Sequence, residues 1–323
     1  MNILKSMAFV VAFLLVFSSL SYAKNRCLLV IYSSSDYGEI SPCGCRIPTG
    51  GLAHRAGVID KLKATGLPVV ILSAGDIFTY QGFKTKLFAH TIVKAMNYMG
   101  YDAICLGDED FRIGRCLKDV LKDAKFKIIM TNLKVKGLSG LKNIVPYLII
   151  KRAGIKIGII SVIDPSLLHG ELIKKFFPNI SCYNPITTLK NVIKRIKPQT
   201  DFIILLSHMG LRKTQRLISK IKGINMAIIG HFPNTCKNVL KENGCLILQT
   251  GRAGRQLSVI RLCFNQKNRL VSFKNRLIVL NNHVPTDPKM KKLVLDAQRK
   301  ARGLWRKMIL EHDEENQPNI LNN

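Results

Sequence analysis

Two spacings of apolar residues alternate along the chain. Continuous apolar runs of strand length recur at residues 27–33, 69–74, 127–131, 155–163 (IKIGIISVI), 202–207 (FIILLS) and 225–229 (NMAII). Between them, LAHRAGVIDKLKA, LFAHTIVKAMNYM and PITTLKNVIKRIK carry apolar residues three and four apart, which predicts amphipathic helices. Strands alternating with helices predict an α/β fold with buried sheets. From 244 to 280 the pattern changes to CLILQTGRAGRQLSVIRLCF, a polar NQKN turn and RLVSFKNRLIVL. That reads as consecutive antiparallel strands, so the sheets should be mixed. A final helix is expected over about 286–309, after Pro285, and the polar end EHDEENQPNILNN should be disordered.

The first 23 residues change the picture of where such a domain works. MNILKSMAFVVAFLLVFSSLSYA has an early Lys5, an apolar stretch from Met7 to Leu20, and small residues at Ser21 and Ala23, the pattern of a secretory signal peptide. The apolar stretch is short for a membrane span of roughly 20 residues. The chain is therefore expected to be exported, to the periplasm or the exterior. Its expected organisation is a signal peptide at 1–23, one domain at 24–283, a helix at 284–310 and a tail at 311–323.

Charge narrows the partners. Fifty Lys and Arg face 20 Asp and Glu, a formal charge of +30. The basic residues are spread along the chain without aromatic interleaving or a nucleic-acid motif. This predicts a solvated basic surface, no specific nucleic-acid partner and at most weak association with an anionic membrane surface. Nine cysteines is an odd number, so at least one thiol lacks an intramolecular partner. Cys27, Cys105 and Cys263 sit in apolar runs and are expected to be buried as small hydrophobes. Cys43 and Cys45 stand apart, one residue from each other in SSSDYGEISPCGCR, just after the first predicted strand.

Candidate chemistry gathers where predicted strands end, the side of an α/β sheet on which ligands bind. VVILSAGD ends in Asp76; YDAICLGDED ends in Asp108, Glu109 and Asp110; FIILLSHMG carries His208; NMAIIGHFPN carries His231. Each is weak evidence alone. Together, two acids and two of the seven histidines at four strand ends suit one divalent cation such as Mn, Zn, Fe or Co.

At these residues the sequence resembles a known family. GGLAHRAGVIDKL, VVILSAGDIF, MGYDAICLGDEDF, TNL, IKIGIISVIDP, DFIILLSHMGL, GINMAIIGHFPN and LILQTGRAGRQLSVIRL follow the order and spacing of the catalytic domain of bacterial UDP-sugar hydrolase/5'-nucleotidases, within the calcineurin-like metallophosphoesterases. The resemblance spans residues 26 to about 305. It implies a single-domain four-layer α/β/β/α sandwich with mixed sheets, and two metals that bind a small phosphate ester and activate a water.

Carried over residue by residue, that site is half present. The family's Asp-x-His pair after its first strand falls on Ser35 and Tyr37, with Asp36 one residue off and turned the opposite way. The bridging Asp falls on Asp76, the Asn-His pair on Asp108 and Glu109, the next His on His208, and the Gly-His-x-His pair on His231 and Pro233. The resemblance thus implies one complete metal site at Asp76, Asp108, His208 and His231. Its neighbour is lost, and Glu109 stands where the catalytic His would be. Arg55 and Arg255 are candidate phosphate contacts, and His54 replaces a family Arg. Nucleotide-cleaving members carry a further base-stacking domain; after Leu280 only a helix and a tail follow here, so nucleotide specificity is not expected.

The reading is therefore an exported metal-dependent phosphoesterase relative with uncertain or altered activity. The alternative is a non-catalytic or thiol-redox protein on the same scaffold, using Cys43 and Cys45. For those two residues three roles stay open: soft ligands replacing the lost ones, a reducible disulfide, or a disulfide that merely tightens a loop or pairs with Cys236 or Cys245.

Overall fold

The structure, a computed structural model, describes residues 25–232 and 237–315, without the side chains of 311–315. The expected signal peptide, Pro233 and Cys236 lie outside the described residues. Its strands are β1 (Arg26–Ser33), β2 (Val69–Ser73), β3 (Ala103–Cys105), β4 (Lys127–Ile129), β5 (Leu133–Val135), β6 (Ile144–Val145), β7 (Leu148–Arg152), β8 (Ile155–Ile163), β9 (Ile180–Cys182), β10 (Phe202–His208), β11 (Met226–Ile229), β12 (Leu240–Glu242), β13 (Cys245–Leu248), β14 (Gln256–Phe264) and β15 (Leu270–Val279).

They form two mixed sheets and a short ribbon. One sheet runs β15-β14-β1-β2-β3-β4-β6, the other β12-β13-β11-β10-β8-β7, and β5 pairs with β9. In the first sheet β1, β2, β3, β4 and β6 are parallel while β14 and β15 add antiparallel strands at one edge. In the second, β8, β10, β11 and β13 are parallel, with β7 and β12 antiparallel at the two edges. The antiparallel pair β14–β15 and the mixed sheets match the change of pattern seen after residue 244, but β13, read as part of the same antiparallel run, lies in the other sheet, parallel to β11.

Three apolar layers explain why the central runs are continuous rather than alternating. Even-numbered β1 residues Leu28, Val30 and Tyr32 meet Ile157, Ile159, Ile204 and Leu206 between the sheets. Odd-numbered Leu29 and Ile31 face outward beneath the helices Leu52–Lys63, Thr85–Met99 and Pro288–Glu315. The second sheet is covered on its outer face by Pro185–Ile196 and Gly210–Ser219, through Leu189, Ile193, Leu217 and Ile218. The order is helix, sheet, sheet, helix. Each fully buried Leu or Ile contributes about 1.5–3 kcal/mol, so both faces of the central strands demand apolar residues. Phe202 and Phe264 meet edge to face across the inter-sheet layer, 5.4 Å between centroids.

Two expectations are corrected. Cys27 and Cys263 are not free small hydrophobes: they lie directly opposite each other in the antiparallel β1–β14 register and form a disulfide, with Cα atoms 4.1 Å apart. That pairing depends on a register 236 residues apart in sequence. The last helix runs Pro288–Glu315, so residues 311–315 of the expected tail continue it. Asp287 caps it through Oδ1, which accepts the Met290 N–H at 2.6 Å, and Met290, Val294 and Ala297 join the core under the outer helices.

Candidate metal centre

The carboxyl ends of β2, β3, β10 and β11 converge on one point. Asp76 follows β2, Asp108 follows β3, His208 is the last residue of β10, and His231 lies two residues past β11. One ligand-capable atom from each lies within 4.8 Å of all the others. His208 Nε2 is 3.2 Å from Asp76 Oδ1 and 3.1 Å from Asp108 Oδ1, and His231 Nδ1 is 3.2 Å from Asp108 Oδ1.

These distances fit a cation. Bonds of about 2.0–2.2 Å from a divalent ion to N and O donors put neighbouring donors about 3.0–3.5 Å apart. The tautomer of His208 is set for the same purpose. Its Nδ1 lies 2.8 Å from the Ala74 carbonyl oxygen, which can only accept, so Nδ1 carries a hydrogen and Nε2 is the nitrogen that faces the cluster, able to ligate once it sheds its own proton. Two carboxylates and two neutral imidazoles would balance one dication.

Backbone packs against the His208 ring on several sides. A Cβ at Gly75 or Gly230 would stand 2.7 Å from His208 Nδ1, and one at Gly107 would stand 2.5 Å from Nε2 and collide with Asp76 Oδ1. Only glycine admits the ring at those positions. The loops are also strained: Ser35, Tyr37, Asp76, His231 and Phe232 all have φ between 52° and 60°. Asp110 holds two of these loops together. Its carboxylate accepts N–H bonds from Asp76 (3.0 Å), Gly107 (2.7 Å) and Phe78 (2.7 Å).

Electrostatics follow from this crowding. Burial would raise Asp108, but hydrogen bonds from His208 and His231 hold it well below the usual carboxylate range. Burial would lower His208, yet the Asp76 charge and bonds to Asp108 and Asp76 hold it well above an ordinary histidine. Burial, and then the Asp76 charge, raise Asp110. A proton on His208 thus occupies the role a cation would take.

The other expected site residues stand elsewhere. Ser35 is buried beside the half-buried Tyr37, whose phenol it lowers against the effect of burial, and Tyr37 lies within electrostatic reach of Asp76, Glu109 and Arg252. Burial raises the Tyr37 phenol, which keeps it protonated. Asp36 turns away and binds Arg55 through two contacts of 2.6 and 2.7 Å, both side chains buried. Arg55, expected as a phosphate contact, is therefore a buried ion-pair partner that also donates to Tyr101. Arg255 is exposed within reach of Glu39; the arginine whose charge reaches Tyr37 is Arg252, which sequence spacing did not single out.

Glu109, expected as the catalytic acid, has both carboxylate oxygens engaged, one by Thr79 Oγ1 at 2.8 Å and one by Arg112 at 2.7 Å. Its backbone N–H serves the cluster instead, donating to Asp76 Oδ1 at 3.1 Å. His54 bonds the Gly50 carbonyl at 2.9 Å, one helical turn back. Cys43 and Cys45 form a disulfide and do not join the four-residue cluster, the only group of its kind among the described residues. They are not substitute metal ligands, and neither pairs with Cys245, which is a buried free thiol.

No family model matches the chain. It is similar to the snake venom 5'-nucleotidase of Gloydius brevicauda, 29% identical over 287 residues that cover 80% of this chain and 47% of that protein. Among solved structures, the 5'-nucleotidase precursor from Thermus thermophilus superposes with a TM-score of 0.76 at 20% identity, covering 86% of this chain and 60% of that one. The calcineurin-like phosphoesterase YfkN from Bacillus subtilis gives 0.70 at 20% identity, covering 88% and 100%. The chain spans about half the length of the curated relatives it matches. Its fold is that of the 5'-nucleotidase and calcineurin-like phosphoesterase structures, as the blocks around the strand ends imply.

Proposed function

We propose that this chain is an exported metal-dependent phosphoester hydrolase of the 5'-nucleotidase-like kind. It holds one divalent cation at Asp76, Asp108, His208 and His231. The observation that carries the reading is the convergence of two carboxylates and two imidazoles from four strand ends, at distances suited to one ion, with the His208 tautomer set by the Ala74 carbonyl. A cation there would polarise a phosphoryl oxygen and lower the pKa of a bound water.

The chain's own residues divide the remaining work. Gly75, Gly107 and Gly230 let backbone close around His208. Asp110 fixes the Asp76 and Gly107 loops, and Glu109 N–H orients Asp76 Oδ1. Arg252 is exposed at the Tyr37 edge and offers a positive charge to an anionic ester. Export is supported by the apolar leader and by the Cys27–Cys263 disulfide, which suits an oxidising compartment. Among the described residues no helix is long and apolar enough to cross a membrane.

The test is reconstitution of the purified chain with Mn, Zn, Fe or Co, elemental analysis, and hydrolysis of p-nitrophenyl phosphate and nucleoside monophosphates. One metal per chain is expected, with metal and turnover both lost in His208→Ala. A chain that takes up no metal, or a His208→Ala variant that keeps both, overturns the proposal.

A further inference from the structure

The Cys43–Cys45 pair is a second candidate site, independent of the metal centre. Pro42 bridges Gly50, and the Cys43 N–H donates to the Thr49 carbonyl at 2.9 Å, so the loop between them is closed at its neck. Gly44, Cys45, Arg46, Ile47 and Pro48 are exposed at its tip. The two sulfurs are not equivalent. Cys43 is half-buried, and its Sγ receives the Thr49 N–H at 3.4 Å and lies 3.6 Å from Thr49 Oγ1. A disulfide sulfur carries no hydrogen, so the Thr49 hydroxyl is the donor. Among the described residues no hydrogen bond reaches Cys45 Sγ, and its residue is exposed.

The remaining described thiols are poor competitors. Cys105 and Cys245 are buried, Cys116 and Cys182 half-buried. Burial pushes Cys182 up to about 11 and Cys245 up to about 12, keeping both as thiols rather than thiolates. The Cys27–Cys263 bond lies between two paired strands.

We infer that Cys43–Cys45 is a thiol–disulfide exchange site that opens in one order. A thiolate from a thiol-bearing co-reactant attacks the exposed Cys45 Sγ. The Cys43–Cys45 bond breaks, and its electron pair leaves on Cys43 Sγ, where Thr49 supplies two hydrogen-bond donors. Exchange is faster when the leaving sulfur is the better-stabilised thiolate. A second thiol then attacks the co-reactant sulfur of the mixed disulfide and releases Cys45. Across both steps, two thiols are oxidised to a disulfide while the pair gains two electrons and two protons. Run in reverse, the pair oxidises a dithiol.

The test treats the full folded chain briefly with limiting glutathione, and in parallel with a peptide carrying a Cys-x-x-Cys dithiol, and then quenches with an excess of a fast alkylating reagent. The adducts are then located by fragmentation mass spectrometry. The expected result is the mixed disulfide on Cys45 and the alkyl group on Cys43, with Cys27–Cys263 intact. Opening by glutathione assigns a small thiol as sufficient; opening by the peptide alone assigns a protein dithiol. Thr49→Val, which removes one donor, should slow opening roughly two- to threefold without moving the adduct. A pair that stays closed to both reagents, or an adduct mainly on Cys43, overturns the inference.

Discussion

Gly107→Ala separates the proposed metal centre from the fold that carries it. Gly107 has φ −104° and ψ 179°, extended backbone open to any residue, so alanine introduces no backbone strain. The added methyl would instead stand 2.5 Å from His208 Nε2 and collide with Asp76 Oδ1, the two atoms offered to the cation. The ring has little room to retreat. Its Nδ1 is bonded to the Ala74 carbonyl at 2.8 Å, and the Gly75 and Gly230 backbones close on the same nitrogen. Overpacking of this kind costs about 1–3 kcal/mol, which in a chain of this size lowers Tm by about 2–5 °C. Metal affinity should fall further, by about ten- to a hundredfold, since ligand distances must hold to within about 0.2 Å. Chelator competition with elemental analysis measures the first effect and thermal melts the second. Gly44→Ala and Gly303→Ala are controls, because an added Cβ meets nothing within 4 Å at either position. In the last helix Gly303→Ala should stabilise by up to about 1 kcal/mol. A Gly107→Ala chain that binds metal as tightly as the parent would refute the placement of the ion at Nε2.

Metal affinity should fall with pH, because His208 is held protonated well above its ordinary value when no cation is present. A ligating imidazole must shed that proton, so below the His208 pKa each unit of pH should weaken binding about tenfold per proton released; isothermal titration across neutral pH in two buffers would measure it, and a flat profile would exclude His208 as a ligand. Arg55→Met should destabilise the chain by about 3–5 kcal/mol by leaving buried Asp36 unpaired, with Asp36→Leu added in the same chain recovering much of the loss. Urea unfolding reads this directly. Unchanged stability with lost turnover would instead make Arg55 a substrate contact.

The strand runs and the four clustered positions, Asp76, Asp108, His208 and His231, were legible because both depend on short-range pattern. A central parallel strand reads as a continuous apolar run, and its last residue faces the ligand side whatever the rest of the chain does. Less could be read where a side chain's partner is remote. Arg55 looked like a phosphate contact because nothing local shows that Asp36, 19 residues earlier, takes both terminal guanidinium nitrogens. Glu109 looked like an acid at the mouth of the site until Thr79 and Arg112 claimed its oxygens. Cys27 and Cys263 needed the β1–β14 register. Arg252 had no signal beyond lying near Arg255 in the GRAGR stretch; both are exposed, and which of them comes within electrostatic reach of Tyr37, rather than of Glu39, shows only in the fold.

On the proposed reading, the loop after β1 keeps the frame of a ligand loop without its ligands. Ser35, Tyr37 and Gly38 donate in turn to the carbonyls of Gly75, Asp76 and Ile77, at 2.8, 2.9 and 2.8 Å. Ser35, Tyr37 and Asp76 all hold left-handed backbone, at about 1–3 kcal/mol for each such residue. Part of that strain has a local use: it holds Asp76 under the cluster and turns Asp36 back onto Arg55. The side chains of Ser35 and Tyr37 are neutral, since Ser35 carries no charge and burial keeps the Tyr37 phenol protonated. Two carboxylates, Asp76 and Asp108, then face whatever cation the centre holds. They balance one dication, whereas a second beside Ser35 and Tyr37 would find only the shared Asp76 for compensation. On the proposed reading, substitution of an Asp-x-His pair by Ser35 and Tyr37 therefore sets the number of metals through charge as well as through ligand count.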